Sequence, residues 1–411
     1  MKIWILQTGE PLHIDEGNLR PMRAMNLSNK LIEKGHEVVL WSSAFDHQNK
    51  SHRSLEYSSH LIGDNLEIKL IPSPGYLKHI GLARLWDHYK LSKNLKTILK
   101  NECELPDIAF IGYPPIESAY VMTTWLYDKN IPSILDVKDL WPSLFIEAFP
   151  KFIQPLVRLI LHPYFFYAKK TIQYSTGISA MAPSFLDWVL NFGNRKKSAK
   201  DKVFRLTSES IDLTEQCIIE CKKKWEEYGV TEGENIIYFA GTFMSVFDFE
   251  PLLDTARAMQ SSKVNCKFVL CGSGEYLYNL KSKAKDLKNI IFPGWMEKDM
   301  LDTLGKMSIA SIAPYRNIDN YIYNTPNKVV DSLRLGLPLL CPLSGEVENI
   351  INENQIGSKY EDSCSLHKAI TYLIDNPEER LKISINARDL YLTDFEFHSV
   401  YDNVVSHIEN F

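Results

Sequence analysis

Residues 3–7, IWILQ, form a short apolar run, and the polar stretch TGEPLHIDEGNLRP follows it. Next comes MRAMNLSNKLIEKG, in which Met22, Met25, Leu27, Leu31 and Ile32 fall broadly at helical spacing and Gly35 closes the turn. HEVVLWSS is a second apolar strand. A strand, a crossover helix and a second strand within residues 3–43 make a βαβ unit. Such a crossover joins parallel strands, whose sheet must be covered by helices on both faces, so the fold class is α/β and doubly wound. Ligands bind such sheets beyond the carboxyl ends of their strands. That rule marks the loop 8–21, where His13, Asp15, Glu16, Gly17, Asn18 and Arg20 stand.

The alternation continues. LEIKLIP (66–72) reads as a strand and 76–101 as a helix, and PDIAFIG (106–112) is a strand ending at Tyr113-Pro114-Pro115. A helix over 116–129 leads to the strand ILDV, with Lys138 and Asp139 at its carboxyl end. Asp136 and Asp139 bracket Lys138, so a local salt-bridged turn is the alternative to a functional pair. GISAMAP (177–183) is a further strand, and NRKKSAKDK (194–202) reads as a solvated basic loop. A second series then begins with NIIYFAG (235–241), CKFVLCG (266–272), NIIFPG (289–294), SIASIAP (308–314) and LPLLCP (337–342), with helices between. A chain of 411 residues is too long for one core, so two Rossmann-like domains facing a cleft are expected.

Tyr321–Leu343 has the clearest local punctuation. Thr325 is a candidate cap and Pro326 suits a first turn. Val329, Val330, Leu333 and Leu335 give a packed side, Gly336 ends the helix, and the apolar run to Leu343 is a buried strand. Lys328 falls in the first turn, an unfavourable place for a cation unless an anion is near, and Asp331 follows on the same side. A cation for a diphosphate and a carboxylate for sugar hydroxyls is one reading; a solvated pair on an ordinary helix is the other.

Composition narrows the field. The net charge of −5 gives no general case for nucleic acid. Seven cysteines without a CxxC pair or metal-like spacing with histidine fit a reduced, cytoplasmic compartment. The N-terminal run stops at Gly9, too short for a signal peptide, and the most apolar stretch, Phe145 to Ala168, is interrupted by Glu147, Lys151, Arg158 and His162. Residues 151–174 admit two readings. One is a long interdomain or core helix broken at Pro163; the other is an interfacial patch of Phe165, Phe166 and Tyr167 assisted by Arg195, Lys196 and Lys197.

Several pieces in their order resemble a retaining glycosyltransferase of family 4 with the GT-B fold, in the branch that builds bacterial surface polysaccharides. They are KGHEV (34–38), the paired prolines 114–115, DVKDLWP (136–142), AGT (240–242), CGSGE (271–275), FPGWMEKDML (292–301) and TPNKVVDSLRLGLPLL. The resemblance implies an acceptor domain over 1–205, with the C-terminal helix 390–411 packing back onto it, and a nucleotide-sugar donor domain over 206–389. It also implies a hexosyltransferase that moves a sugar from a nucleotide sugar, a co-substrate rather than a cofactor, to a lipid-linked saccharide with retention and without metal. Such an enzyme would work in the cytoplasm, peripherally on the inner membrane.

Carried position by position, the resemblance assigns donor binding to Thr242, Gly272, Ser273, Gly274, Trp295, Met296, Arg316, Asn327, Lys328 and Asp331. Acceptor binding falls to His13, Glu16, Gly17 and Asn18, and the catalytic roles to Lys138 and Asp139. Retention by front-face attack makes positioning and leaving-group charge the chief tasks. The sequence departs from the family in two places: Tyr323 stands where the first of two acids is usual, and GTFMSVFDFEPLL lacks the cations common after the AG. Those departures keep open a catalytically inactive scaffold subunit of an assembly complex, and the shared fold keeps open a nucleotide-sugar epimerase.

Overall fold

A computed structural model describes the chain except residues 18–19, 78–80 and 148. It divides into two compact units, Met1–Phe204 with Tyr401–Phe411, and Arg205–Val400.

Unit 1 is built on β1 (Lys2–Leu6), β2 (Glu37–Ser43), β3 (Phe45–Asp46), β4 (Ser51–His52), β5 (Ser58–Ile62), β6 (Leu66–Ile71), β7 (Ile108–Tyr113), β8 (Ser133–Val137), β9 (Gly177–Ala180) and β10 (Lys202–Val203). Eight of these form one sheet in the order β10-β9-β8-β7-β1-β2-β6-β5. β1 pairs in parallel with β2 on one side and β7 on the other, so the strand order reverses between β1 and β7. Ile3, Trp4, Ile5 and Leu6 are all buried, as a central parallel strand requires. Two elements are absent from the sequence reading. β5 runs antiparallel to β6 at the sheet edge, and its residues are mostly exposed, so it carries no apolar signature. β3 and β4 form a small ribbon whose turn is tied by the Asp46 carboxylate, which accepts from the Gln48 and Asn49 backbone N–H groups.

The helix Phe397–Glu409 carries the chain back, and residues 401–411 belong to unit 1. Tyr401 is buried there, Asp402 lies 3.3 Å from Lys30, and Glu409 meets His36 at 2.9 Å. The loop 194–202 is not simply solvated. Arg195 bonds the carbonyls of Ile172, Ser175 and Thr176 and pairs with buried Asp201 at 2.9 Å. Asp201 in turn accepts from the backbone N–H of Ile178.

Unit 2 holds β11 (Ile236–Ala240), β12 (Lys267–Cys271), β13 (Ile290–Gly294), β14 (Ala310–Ile312), β15 (Leu339–Cys341) and β16 (Gly357–Lys359). Every pair is parallel, in the order β13-β12-β11-β14-β15-β16, so the reversal falls between β11 and β14. The segment after β11 that lacks cations is an aromatic plug: Phe243, Phe247 and Phe249 pack on Phe239 with centroids 5.1–5.5 Å away. Each unit also buries a bidentate Arg–Asp pair. Arg23 holds Asp136 in unit 1 at 2.8 and 2.9 Å, and Arg334 holds Asp302 in unit 2 at 2.5 and 2.9 Å.

Candidate functional site

Several of the candidate site residues lie near the two places where strand order reverses, which is where doubly wound sheets leave a crevice. In unit 2 the helix Asn327–Arg334 begins after Pro326, whose carbonyl accepts from Val329 at 2.9 Å. Thr325 does not cap it. No side-chain cap bond is made, and the Thr325 hydroxyl is buried without a hydrogen-bond partner among the described residues. The proline's extended ψ of 156° supplies the entry geometry instead.

Lys328 turns back over the carboxyl end of β11. Its Nζ donates to the Ala240 carbonyl and stands 4.4 Å from the Phe239 ring centroid and 5.2 Å from that of Phe247. A carbonyl dipole and two ring faces thus hold the ammonium in a half-buried position. Asp331 is half-buried one turn on, 3.9 Å from Arg334 Nε. Asn327 and Thr242 are exposed.

The glycine turn has a packing reason of its own. Gly272 and Gly274 sit at φ +131° and +144°, and a Cβ at either would collide with the backbone of Gly241 or Phe243. Only glycine lets the chain after β12 lie against the chain after β11, leaving Ser273 exposed between them. The Gly272 N–H reaches the Gly294 carbonyl at 2.6 Å, which brings the turn before Trp295 and Met296 alongside. Trp295 is 69% exposed, while Met296 is half-buried against the cluster around Met300 and Leu304. Arg316 is exposed and pairs with Asp248 at 3.2 Å and with the Ser245 carbonyl at 3.1 Å.

In unit 1 a concavity of about 210 Å³ lies at the carboxyl ends of β1 and β7. Lys138 and Asp139 line it with Gln7, Glu10 and Pro114. Lys138 Nζ bonds beyond its own turn, to Glu10 Oε1 at 2.5 Å and Gln7 Oε1 at 3.0 Å, while Asp136 accepts from Arg23 and Ser179. Burial alone would raise the Asp136 carboxyl, but the charges of Arg23 and Lys138 hold it below the ordinary aspartate range. Glu10 also accepts from the Ala24 N–H at 2.9 Å. It is absent from the sequence reading because nothing local distinguishes it from the other acids of its loop.

The acceptor candidates His13, Glu16 and Gly17 do not line this concavity. His13 Nε2 lies 2.7 Å from Asn29 Oδ1, and Glu16 and Gly17 are exposed. Asn18 lies outside the described residues. The concavity instead recruits Tyr76, Arg84, Asp87 and His88, from a loop and helix with no motif.

The stretch 151–174 is two helices, Gln154–Ile160 and His162–Tyr174, with Pro163 in the first turn of the second. It is not an interior helix, since Gln154–Ile160 buries none of its residues. Phe152 is 83%, Leu159 70% and Ile160 67% exposed. Of the rings expected to form the patch, Phe166 is 48% and Tyr167 38% exposed, although Tyr167 packs on Tyr120 at 4.7 Å, and Phe165 is half-buried against Phe192. Arg195 is tied into its loop as described above, whereas Lys151 and Arg158 are exposed beside the apolar residues. No helix among the described residues is long and apolar enough to cross a membrane.

Comparison with known proteins agrees with this architecture. Residues 222–390, within unit 2, match the family model for glycosyl transferases group 1. Over 100% of this chain and 98% of its own, sucrose-phosphate synthase from Thermosynechococcus elongatus is similar in structure, at 12% identity and a TM-score of 0.71. HepE from Anabaena, in complex with UDP, is similar over 100% of both chains at 13% identity and a TM-score of 0.66. WaaG, a glycosyltransferase involved in lipopolysaccharide biosynthesis, covers 99% of each chain at 12% identity and a TM-score of 0.65. No curated protein matches the sequence. The fold is GT-B, with two Rossmann-like domains.

Proposed function

We propose that the protein is a glycosyltransferase that takes a sugar from a nucleoside-diphosphate sugar held by unit 2 and passes it to a saccharide held by unit 1. The observation that supports this most is Lys328, fixed over the carboxyl end of β11 inside the segment that matches group 1. A diphosphate there would meet the ammonium and the first N–H groups of the helix Asn327–Arg334. Asp331 stands one turn on for ribose hydroxyls. Lys138, Glu10 and Asp139 form the polar floor against which an acceptor hydroxyl would be positioned.

The finer reading is a retaining, metal-independent transfer in which the departing diphosphate takes the acceptor proton. The acceptor is a lipid-linked saccharide, in surface polysaccharide synthesis. The exposed Phe152, Leu156, Leu159 and Ile160, with Lys151 and Arg158 beside them, support peripheral contact with an anionic leaflet. Incubation with UDP-, GDP- and dTDP-sugars and a lipid-linked saccharide, in EDTA, tests the reading. Expected is a nucleoside diphosphate released in step with an α-linked product from an α-linked donor. Nucleotide-sugar binding without turnover under any condition would instead favour a scaffold subunit, which the engagement of Arg316 with Asp248 makes the second reading.

A further inference from the structure

Gly241, Gly272 and Gly274 stand where the chains after β11 and β12 meet, and Gly241 differs from the other two in what fills its empty side. A Cβ at Gly272 or Gly274 would strike backbone, as described above. A Cβ at Gly241 would instead fall on the Lys328 ammonium and lie 3.0 Å from its Cε, with the tip of the Phe239 ring next at 4.0 Å. The ammonium thus occupies the space that a side chain at 241 would need. Its other walls are the Ala240 carbonyl, which accepts from it, and the rings of Phe239 and Phe247.

The backbone here is pinned on both sides. The Gly241 N–H donates to the Cys271 carbonyl at 3.0 Å and the Phe243 N–H to the Ser273 carbonyl at 2.8 Å. The Gly241 carbonyl lies directly against Gly272, where a Cβ would collide with it. Gly241 itself sits at φ +152°, which L side chains rarely adopt. What can move is the lysine, whose ammonium ends a flexible four-carbon stem. That stem starts in the first turn of the helix Asn327–Arg334. The macrodipole there opposes a cation, so the ammonium is held over β11 against the preference of its own helix.

We propose that Gly241 is a positioning residue for the donor: by leaving its side open it seats the Lys328 ammonium at one point, and that point sets a preference for a nucleoside diphosphate over the monophosphate. This rests on the assignment of the donor to unit 2. Gly241 acts through Lys328 rather than on the nucleotide. An ammonium is a compact point charge, so its contribution depends on where it is held. A diphosphate brings a second phosphoryl group and more negative charge to that point, while the nucleoside makes its contacts elsewhere. Displacing the ammonium therefore erodes discrimination between the two nucleotides more than it erodes nucleoside binding.

Titration calorimetry on the full chain would use UDP, GDP and dTDP, with the monophosphate of whichever binds most tightly. The wild type is expected to prefer the diphosphate by roughly tenfold or more. Gly241→Ala and Lys328→Ala should each remove most of that preference, and the double variant should match Lys328→Ala alone, because both changes remove one contact. A glycine needed only for the fold would lower both affinities together and add its loss to that of Lys328→Ala. Gly241→Ala also carries the strain of its backbone, so Lys328→Arg gives a second reading with the glycine intact. A guanidinium keeps the charge but does not fit the space beside the Gly241 Cα, and the preference should fall there too. A folded Gly241→Ala that keeps the wild-type preference overturns the proposal, as do additive losses in the double variant or a Lys328→Arg that discriminates like the wild type. No diphosphate preference in the wild type, or one that survives Lys328→Ala, sinks the donor assignment instead.

Discussion

Both units place a lysine at the point where their sheet reverses, and the two are held differently. In unit 1 Lys138 reaches back to the loop after β1 and meets the buried carboxylate of Glu10. In unit 2 Lys328 reaches back to the end of β11 and meets a backbone carbonyl and two aromatic faces. A lysine beside a buried carboxylate forms part of a nearly neutral, fixed polar floor. One held by a dipole and by ring quadrupoles keeps more of its positive potential for an anion. On the proposed reading, the same topology gives one unit a surface for hydroxyls and the other a surface for phosphate.

The comparison can be tested first on the pairs that brace each site. Arg23→Ala should leave Asp136 buried and uncompensated, and Arg334→Ala should do the same to Asp302; each is expected to cost about 3–5 kcal/mol of stability. Urea unfolding with separate probes for each unit would check this, since a two-unit chain need not unfold in one step. Equal losses would mean the braces are equivalent; a loss confined to one would show where the chain is marginal.

Acid should separate the units further. His88, in unit 1, has its folded value lowered to about 3, so the unfolded chain takes up its proton first as pH falls. Its contribution is complete above about 6.5 and is lost as pH falls from there toward 3, with a slope of up to about 1.4 kcal/mol per pH unit. Asp136, also held below its ordinary value, contributes above about 3.9 and loses its contribution below that. Thermal melts across this range should show unit 1 weakening first, and His88→Phe should flatten its dependence above pH 4. An unaltered profile in His88→Phe would show that burial does not hold the ring neutral.

Lys328→Ala removes a contact to phosphate of order 1.5–3 kcal/mol, so donor affinity should fall at least about tenfold by calorimetry. Lys138→Ala should leave donor affinity within about twofold while turnover falls. If the two variants behave alike toward donor, the contrast drawn between the lysines fails. The smallest effect is expected at the apolar helix of unit 1. Each exposed basic residue there is worth about 1 kcal/mol near an anionic leaflet, and the aliphatic chains add area. Replacing Phe152, Leu159 and Ile160 by serine should release the protein from anionic liposomes in flotation with little change in melting temperature, because none of the three is buried. Replacing Phe165 and Tyr167 should chiefly destabilise, since their rings pack on Phe192 and Tyr120.

What could be read along the chain was whatever neighbouring residues encode. The apolar runs at 3–7, 106–112, 235–241 and 266–272 became central parallel strands, because burial on both faces demands such runs. The helix after Pro326 announced itself through local backbone rules and the glycines at 272 and 274 through the family resemblance, although glycine there serves chain-to-chain contact. β5 escaped because an exposed edge strand has no apolar period. The remainder required tertiary structure. Glu10 and Lys138, 128 positions apart in sequence, meet only because β1 and β8 lie two strands apart in the sheet. The apolar sequence 154–160 was legible as a helix, but whether it faced a core or the outside depended on what packs against it, and in unit 1 no residue of it is covered. Local patterns specify elements because their causes act over one turn or one strand; a site joins residues far apart in sequence, and only the order of strands in the folded sheet decides which of them meet.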